Sequence, residues 1–215
     1  MLFKIKMQRV VFIISLLQVQ FAYGQNGGYG LNFDGSNDYV FANINMTITK
    51  KTFSAWVKLA NTSQYGGGLV SLQTTGGAVF DAIVYNETLN GWGFGSNNFT
   101  RTTWSGVSEN STNWIHIAAT YDHNDYKLYR NGIQIHTSNA HSANTFTSNL
   151  QILLGQRHTG GSNAFLNAII DNAQVWSKEL TQSEIQEYMH KDLTGSESNL
   201  VAYYKMSNGT GTSLT

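Results

Sequence analysis

The sequence predicts an all-β chain: two antiparallel sheets packed face to face as a jelly-roll sandwich, with one short helix in the C-terminal region. Three observations carry that reading. Short stretches alternate apolar and polar residues and are punctuated by glycine or asparagine about every ten residues, the rhythm of sandwich strands. Asn131-Gly132 lies between two such stretches, and both residues take positive φ at little cost, which makes the pair a strong hairpin signal. A single stretch combines a helix start signal with helical periodicity. There Thr181 and Glu184 form a capping box, Ile185, Tyr188 and Met189 share a face, and Gly195 follows as a stop.

The strands follow in order. Leu31-Asn32-Phe33 runs into a turn at Asp34-Gly35, and Tyr39-Val40-Phe41 comes next. Phe53, Ala55 and Val57 alternate with Ser54, Trp56 and Lys58, the period of two that a half-buried strand shows. Glycine runs at 66–68 and 76–77 bracket Leu69 to Leu72, and Ala78 to Tyr85 forms another strand. Gly91-Trp92-Gly93-Phe94-Gly95 is read as the opening of a long loop-rich stretch. Trp114 to Tyr121 and Tyr126 to Arg130 are strands, with Asp122 to Asp125 as the turn between them. The two-residue turn at Asn131-Gly132 predicts Arg130 opposite Ile133, Tyr129 opposite Gln134 and Leu128 opposite Ile135. Leu150 to Leu154 and Phe165 to Trp176 complete the set.

The start of the chain reads as a secretory leader. Lys4, Lys6 and Arg9 precede an apolar run from Val10 to Leu17, and Ala22-Tyr23-Gly24 offers small residues before a cut at Gln25. That run is shorter than the roughly 18–20 apolar residues a spanning helix needs, so the expectation is a secreted or cell-surface protein without a transmembrane segment in the mature chain. The expected organisation is a signal peptide over 1–24 and one jelly-roll domain over 25–195. The remaining segment, 196–215, is either a final edge strand or the truncated start of a further module. The whole chain has 13 basic and 13 acidic residues, and removal of Lys4, Lys6 and Arg9 leaves 10 basic against 13 acidic. That mildly acidic balance, without a basic run, excludes nucleic acid as the expected partner. The chain has neither cysteine nor proline, so disulfides, thiol chemistry and cysteine-based zinc sites are excluded.

Taken together, these segments resemble a known family. Gly30-Leu31-Asn32-Phe33-Asp34-Gly35-Ser36-Asn37-Asp38-Tyr39-Val40 resembles the opening strand and turn of laminin-G-like, concanavalin A-like jelly-roll domains. Phe53 to Lys58, Trp114 to Asp122, Leu128 to Gly132, Ile152 to Gly155, Ile169 to Trp176 and Leu180 to Gln186 resemble the motifs that follow, in the same order. The resemblance implies two curved sheets with a concave face, and a module that binds glycans or proteins outside the cell, often within a larger polypeptide. Leu200 to Lys205 with Asn208 to Gly211 resembles the strand and loop that precede the opening motif in many members, yet here it follows the domain.

Fold does not fix function, so the chemistry is read from residues. Glycoside hydrolases share this fold, but the carboxylate stretch that such relatives carry on one strand is missing. Asp81 is alone on its strand, Glu87 and Glu109 lie in loop-like contexts, and Glu184 and Glu187 sit on the helix. His116 beside Trp114 reads as a hydrogen-bonded structural histidine. The resemblance implies a structural calcium held by Asp34 and Asp38 of the first turn together with Asp171 of the late strand. The alternative is that Asp34 and Asp38 only make Asx-turns. For a ligand, Trp92 and Trp104 lie in the Gly/Asn/Thr-rich stretch with Asn98 and Arg101 between them, a flat aromatic beside amide and charged partners. The alternative for each is burial over the core or at a sheet edge. The reading is therefore a non-catalytic extracellular module that binds carbohydrate or mediates cell-surface adhesion. Its alternatives are a protein-interaction or spacer module, and a hydrolase.

Overall fold

The computed structural model describes residues 20–25, 28–87, 91–97, 108–122, 125–139, 144–160 and 165–207. Its strands are β1 (Gln20–Tyr23), β2 (Tyr29–Asp34), β3 (Val40–Ile44), β4 (Lys51–Leu59), β5 (Gly68–Thr74), β6 (Phe80–Tyr85), β7 (Trp92–Ser96), β8 (Ile115–Tyr121), β9 (Asp125–Arg130), β10 (Ile133–Asn139), β11 (Leu150–Leu154), β12 (Asn167–Trp176) and β13 (Leu200–Tyr204), with helix α1 (Gln182–Tyr188) between the last two. They form two antiparallel sheets. The larger runs β1-β2-β12-β4-β8-β9-β10 with β13 added beside β12, and the smaller runs β3-β11-β5-β6-β7. This is the expected all-β sandwich, with one helix among the described residues.

Alternation decides what lies between the sheets. Phe53, Ala55 and Val57 of β4, Ile117 and Ala119 of β8, Val70 and Leu72 of β5, and Leu150, Ile152 and Leu154 of β11 share one buried core. Burial of such side chains contributes about 25 cal/mol per Å² of apolar surface, the main term holding the sheets together. The stretch expected to open a loop is instead β7, with Trp92 paired to Tyr85 and Phe94 to Ile83. The alternation of glycine with an aromatic residue is itself a period of two, and it turns Trp92 and Phe94 into the core.

β12 organises the larger sheet. β4 pairs along one flank, while β2 takes Asn167 to Ile170 and β13 takes Ala173 to Trp176 on the other. Where those two partners meet, the register against β4 shifts between Asp171 and Gln174, and Asn172 adopts φ +49. The Tyr203 hydroxyl donates to Asn172 Oδ1 at 3.0 Å across that bulge.

The outer face of the larger sheet is covered by the segment around α1. Trp176, Tyr129, Ala118, Leu180, Ile185 and Leu193 form a second apolar cluster there, with Tyr188 stacked on Trp176 at 4.9 Å. The helix begins as expected: the Thr181 side chain accepts from Glu184 N–H, and Glu184 in turn accepts from Thr181 N–H. Gly195 does not end it. The cap is Met189, six residues earlier, in ordinary helical geometry. The Met189 carbonyl accepts from Trp56 Nε1 at 2.7 Å, which satisfies one orphan carbonyl of the last turn.

His116 is buried beneath this layer, edge-on to Trp56 at 5.5 Å. Neither of its ring nitrogens has a hydrogen-bond partner, so it is a packed neutral ring and not the hydrogen-bonded histidine the sequence suggested. Burial pushes its pKa down to about 3, with a smaller contribution from His190.

The hairpin turn docks against the same layer. Asn131 and Gly132 take φ +51 and +73, and Arg130 faces Ile133 and Tyr129 faces Gln134 as expected. The next pair differs. A bulge between Gln134 and His136 sets Leu128 opposite His136, so the expected pairing with Ile135 is lost. Ile135 still packs on the main core with Leu128, so the extra residue adjusts the register without turning the strand over. Gly132 also lies under the helix: its carbonyl accepts from Gln186 Nε2 at 3.0 Å, and a Cβ there would stand 2.7 Å from Gln186 Cγ.

Gly132→Val therefore meets both positive φ and a neighbouring side chain, and is expected to cost about 1 kcal/mol or more. A urea midpoint equal to that of the wild type would show that the turn tolerates a branched side chain. The His116 ring sets an acid sensitivity. Above pH 6.5 it is neutral in both states, and as pH falls towards about 3 the unfolded chain gains a proton that the folded chain refuses. Stability from this group is then lost at up to about 1.4 kcal/mol per pH unit across that window. The urea midpoint of the wild type should fall more steeply over that range than that of His116→Leu. Parallel profiles would mean that the buried ring accepts its proton.

Candidate functional site

With α1 and its flanks lying over the larger sheet, the opposite face of the molecule is the outer face of the smaller sheet. The side chains there follow from the period of two. Val40, Ala42 and Ile44 of β3 point into the core, which sends Phe41 and Asn43 outward. On β11 the outward pair is Gln151 and Leu153. On β5 it is Ser71 and Gln73, and on β6 Phe80, Ala82 and Val84 form their own small cluster.

Register places three amides in one row, Asn43 opposite Gln151 and Gln151 opposite Gln73. They are hydrogen-bonded in sequence. Gln73 Nε2 donates to Gln151 Oε1 at 2.8 Å, and Gln151 Nε2 donates to Asn43 Oδ1 at 3.0 Å. The chain starts from a fixed point, since Gln73 is fully buried, accepts from Thr159 N–H at 2.8 Å and donates to Thr159 Oγ1 at 2.8 Å. It runs towards β3, the edge strand, where the Asn43 amide is half-exposed.

The segment 155–160 covers the β5–β6 half of this face. The Ser71 hydroxyl donates to the Gln156 carbonyl at 2.9 Å, and the His158 ring lies parallel to Phe80 at 4.1 Å. Arg157 stands over the same ring at 5.9 Å and pairs with Glu87. The β3–β11 half keeps Phe41, Asn43 and Gln151 half-exposed. Beside them Tyr39 stacks with Phe41 at 6.0 Å and 24°, and Phe165 approaches Tyr39 at 6.3 Å. Aromatic faces next to an aligned row of amide donors and acceptors can take a ligand with an apolar face and a hydroxylated edge.

Of the residues singled out from sequence, those that the structure describes lie elsewhere. Trp92 is only 2% exposed, tilted against Tyr85 at 4.9 Å, and is a core residue that cannot stack on a ligand. Asn98, Arg101 and Trp104 fall outside the described residues. Asp34 and Asp38 shape the turn after β2: Asp34 Oδ1 accepts from Ser36 N–H at 2.7 Å, and Asp38 Oδ2 accepts from Asp34 N–H at 3.1 Å. Burial raises the Asp38 pKa. Asp171 is not at that turn. Asp34 faces Asn167, and Asp171 lies four residues further along β12, roughly 13 Å at the strand rise. There it is buried, accepts from Gln25 N–H at 3.0 Å, and its pKa is raised by burial. One ion cannot be shared by the turn and Asp171, so these three carboxylates do not make the expected calcium site.

The loop carboxylates are engaged in ion pairs. Glu109 takes Arg130 in a two-point contact at 2.8 and 3.1 Å, and Glu87 takes Arg157. Tyr39, Phe41, Asn43 and Gln151 were not picked out from sequence, although a signal existed. In Tyr39-Val40-Phe41-Ala42-Asn43-Ile44, one face is apolar throughout and the other carries two aromatic residues before Asn43. The second face therefore has a covering or a ligand to account for.

Solved structures share this architecture. Domain 4 of AbnA, a GH43 extracellular arabinanase from Geobacillus stearothermophilus solved in complex with arabinotriose, is 16% identical with a TM-score of 0.63, covering 85% of this chain and 87% of that one. The heptameric SAP-like pentraxin of Limulus polyphemus is 13% identical with a TM-score of 0.57, covering 74% and 80%. The receptor binding domain of botulinum neurotoxin D is 15% identical with a TM-score of 0.56, covering 83% of this chain and 47% of that one. At these identities the likeness is one of fold. No curated protein sequence matches the chain. The family profile Laminin_G_3, of the concanavalin A-like lectin/glucanases superfamily, matches residues 33–186. The chain belongs to that family, as the order of its strand motifs and the two-sheet sandwich both require.

Proposed function

We propose that this chain is a secreted, non-catalytic carbohydrate-binding module, and that its ligand surface is the aromatic and amide row on the outer face of the smaller sheet. The observation that carries the reading is the hydrogen-bonded series Gln73–Gln151–Asn43, which ends at a half-exposed amide beside the Tyr39–Phe41 stack. A sugar ring presents an apolar face to an aromatic side chain and hydroxyls to amides, and here both are held by the sheet before a ligand arrives. The similar AbnA domain, solved with arabinotriose, supports a glycan as the ligand class. The non-catalytic part rests on the engagement of Glu87 and Glu109 with Arg157 and Arg130, which leaves these loop carboxylates serving ion pairs. Export is read from the leader-like order of residues 1–24, and cleavage before Gln25 would remove β1 with the leader.

A glycan array on the purified mature chain identifies the ligand class, and titration of the best glycan into variants locates the site. Asn43→Ala and Phe41→Ala should each weaken binding by about tenfold or more, equivalent to about 1.4 kcal/mol, while the proteins remain folded by thermal melting. Tyr65→Ala, which removes a side chain 76% exposed in the loop between β4 and β5, should leave affinity unchanged. If Tyr65→Ala abolishes binding and the other two do not, the ligand sits on that loop. A blank array turns the reading to a protein partner. N-terminal sequencing of secreted material should start at Gln25. A start at Met1 would reject the leader.

A further inference from the structure

The far end of the core holds a polar cluster that the binding surface does not use. Lys51 begins β4 and Asp81 lies on β6, one in each sheet, and both side chains are fully buried and paired. The Lys51 ammonium also donates to the backbone carbonyl of Asn144 at 2.9 Å, and it is walled by the rings of Phe146 at 4.7 Å and Tyr121 at 5.2 Å. The other oxygen of Asp81 accepts from Asn144 Nδ2 at 2.9 Å and from the Ser96 hydroxyl. Asn144 Nδ2 further contacts Asn97 Oδ1 at 2.6 Å and the Phe80 carbonyl at 3.0 Å.

One fully buried carboxylate thus holds a fully buried primary amine on one oxygen and a half-buried carboxamide on the other. Burial pushes the Lys51 pKa down, against the pull of Asp81, which favours the neutral nucleophilic amine. An amine with an adjacent base and an oriented acyl group is the arrangement of nucleophilic acyl transfer. We propose that Lys51 and Asn144 form an intramolecular isopeptide bond, with Asp81 as the proton carrier. The ammonium gives a proton to Asp81, and the freed lone pair attacks Cγ of Asn144. The Nζ–Cγ bond forms and the Cγ–Nδ2 bond breaks. Asp81 relays two protons from Nζ to Nδ2, so the nitrogen leaves as ammonium and Asp81 returns to a carboxylate. No oxidant or cofactor enters the balance. The product ties β4 to the segment before β11 across 93 residues of sequence in a chain that has no cysteine.

Peptide mapping of the full-length folded protein tests this directly. A tryptic digest should contain one branched peptide that joins the Lys51 and Asn144 segments, one ammonia lighter than their sum, with no cleavage after Lys51. Localisation by fragmentation is required, because cyclisation of an N-terminal glutamine also releases ammonia. Lys51→Arg keeps the charge but has no comparable nucleophile, and should give two separate peptides. Asp81→Asn should also lack the branch. Recovery of both wild-type segments as separate peptides, cleaved after Lys51, overturns the proposal and leaves an ion pair. A branch to Asp81 with loss of water, or a branch that persists in Asp81→Asn, overturns the assigned chemistry.

Discussion

A lysine with no exposed surface must find its counter-charge inside the core, and here the counter-charge is on the other sheet. Taking either charge from water alone costs several kcal/mol, so Lys51 and Asp81 are tolerated only together and only in a layout that satisfies their remaining hydrogen bonds. That requirement propagates by strand alternation. With Lys51 inward, Phe53, Ala55 and Val57 are inward and Thr52, Ser54 and Trp56 face the helix layer. With Asp81 inward, Ile83 and Tyr85 are inward and Phe80, Ala82 and Val84 form the outer patch. A one-residue slip in either strand would bury the wrong face and separate the charges, so the pair reinforces the register already set by apolar burial.

The two outer faces then have different fates for a sequence reason. The larger sheet presents Trp56, His116, Ala118, Tyr129 and Trp176, a surface too apolar to leave in water, and the capping box at Thr181 starts a helix that covers it. The smaller sheet presents amides, a serine and small residues between its aromatics, which need partial cover at most. Segment 155–160 supplies cover over the β5–β6 half through Ser71 and Gln73. Its path also depends on Gly155, at φ +82, where a Cβ would land on the Phe33 ring.

Strand order, the hairpin, the helix start and the sandwich itself were legible because each rests on local chemistry: alternation, a turn dipeptide, a capping pair. The misses share a different cause. The bulge beside Gln134 is an extra residue whose cost and benefit lie in contacts of Ile135 with the core, which no dipeptide records. Trp92 was read as loop because glycines surround it, although the same glycines mark every second position of a strand. His116 reads as a hydrogen-bonded structural histidine, but its ring is packed edge-on to Trp56 without a partner on either nitrogen, a setting that no local pattern records. Asp34 and Asp171 are near in topology, on paired strands, yet four residues out of step, and that offset is invisible without the register.

The candidate surface illustrates why binding residues are harder to read than core residues. Asn43, Gln151 and Gln73 are separated by tens of residues and become a unit only when three strands align. Each is an ordinary strand amide on its own. Linked head to tail, they polarise one another, and anchoring at the buried end by Thr159 fixes the orientation of the series as far as the edge. The ordering of these side chains is supplied by folding, so a ligand meets an amide whose position beside Tyr39 and Phe41 is already determined. An edge strand is the place where such a row can be both rigid and reachable. Its neighbour β11 on one side holds the geometry, while its other side pairs with no strand among the described residues.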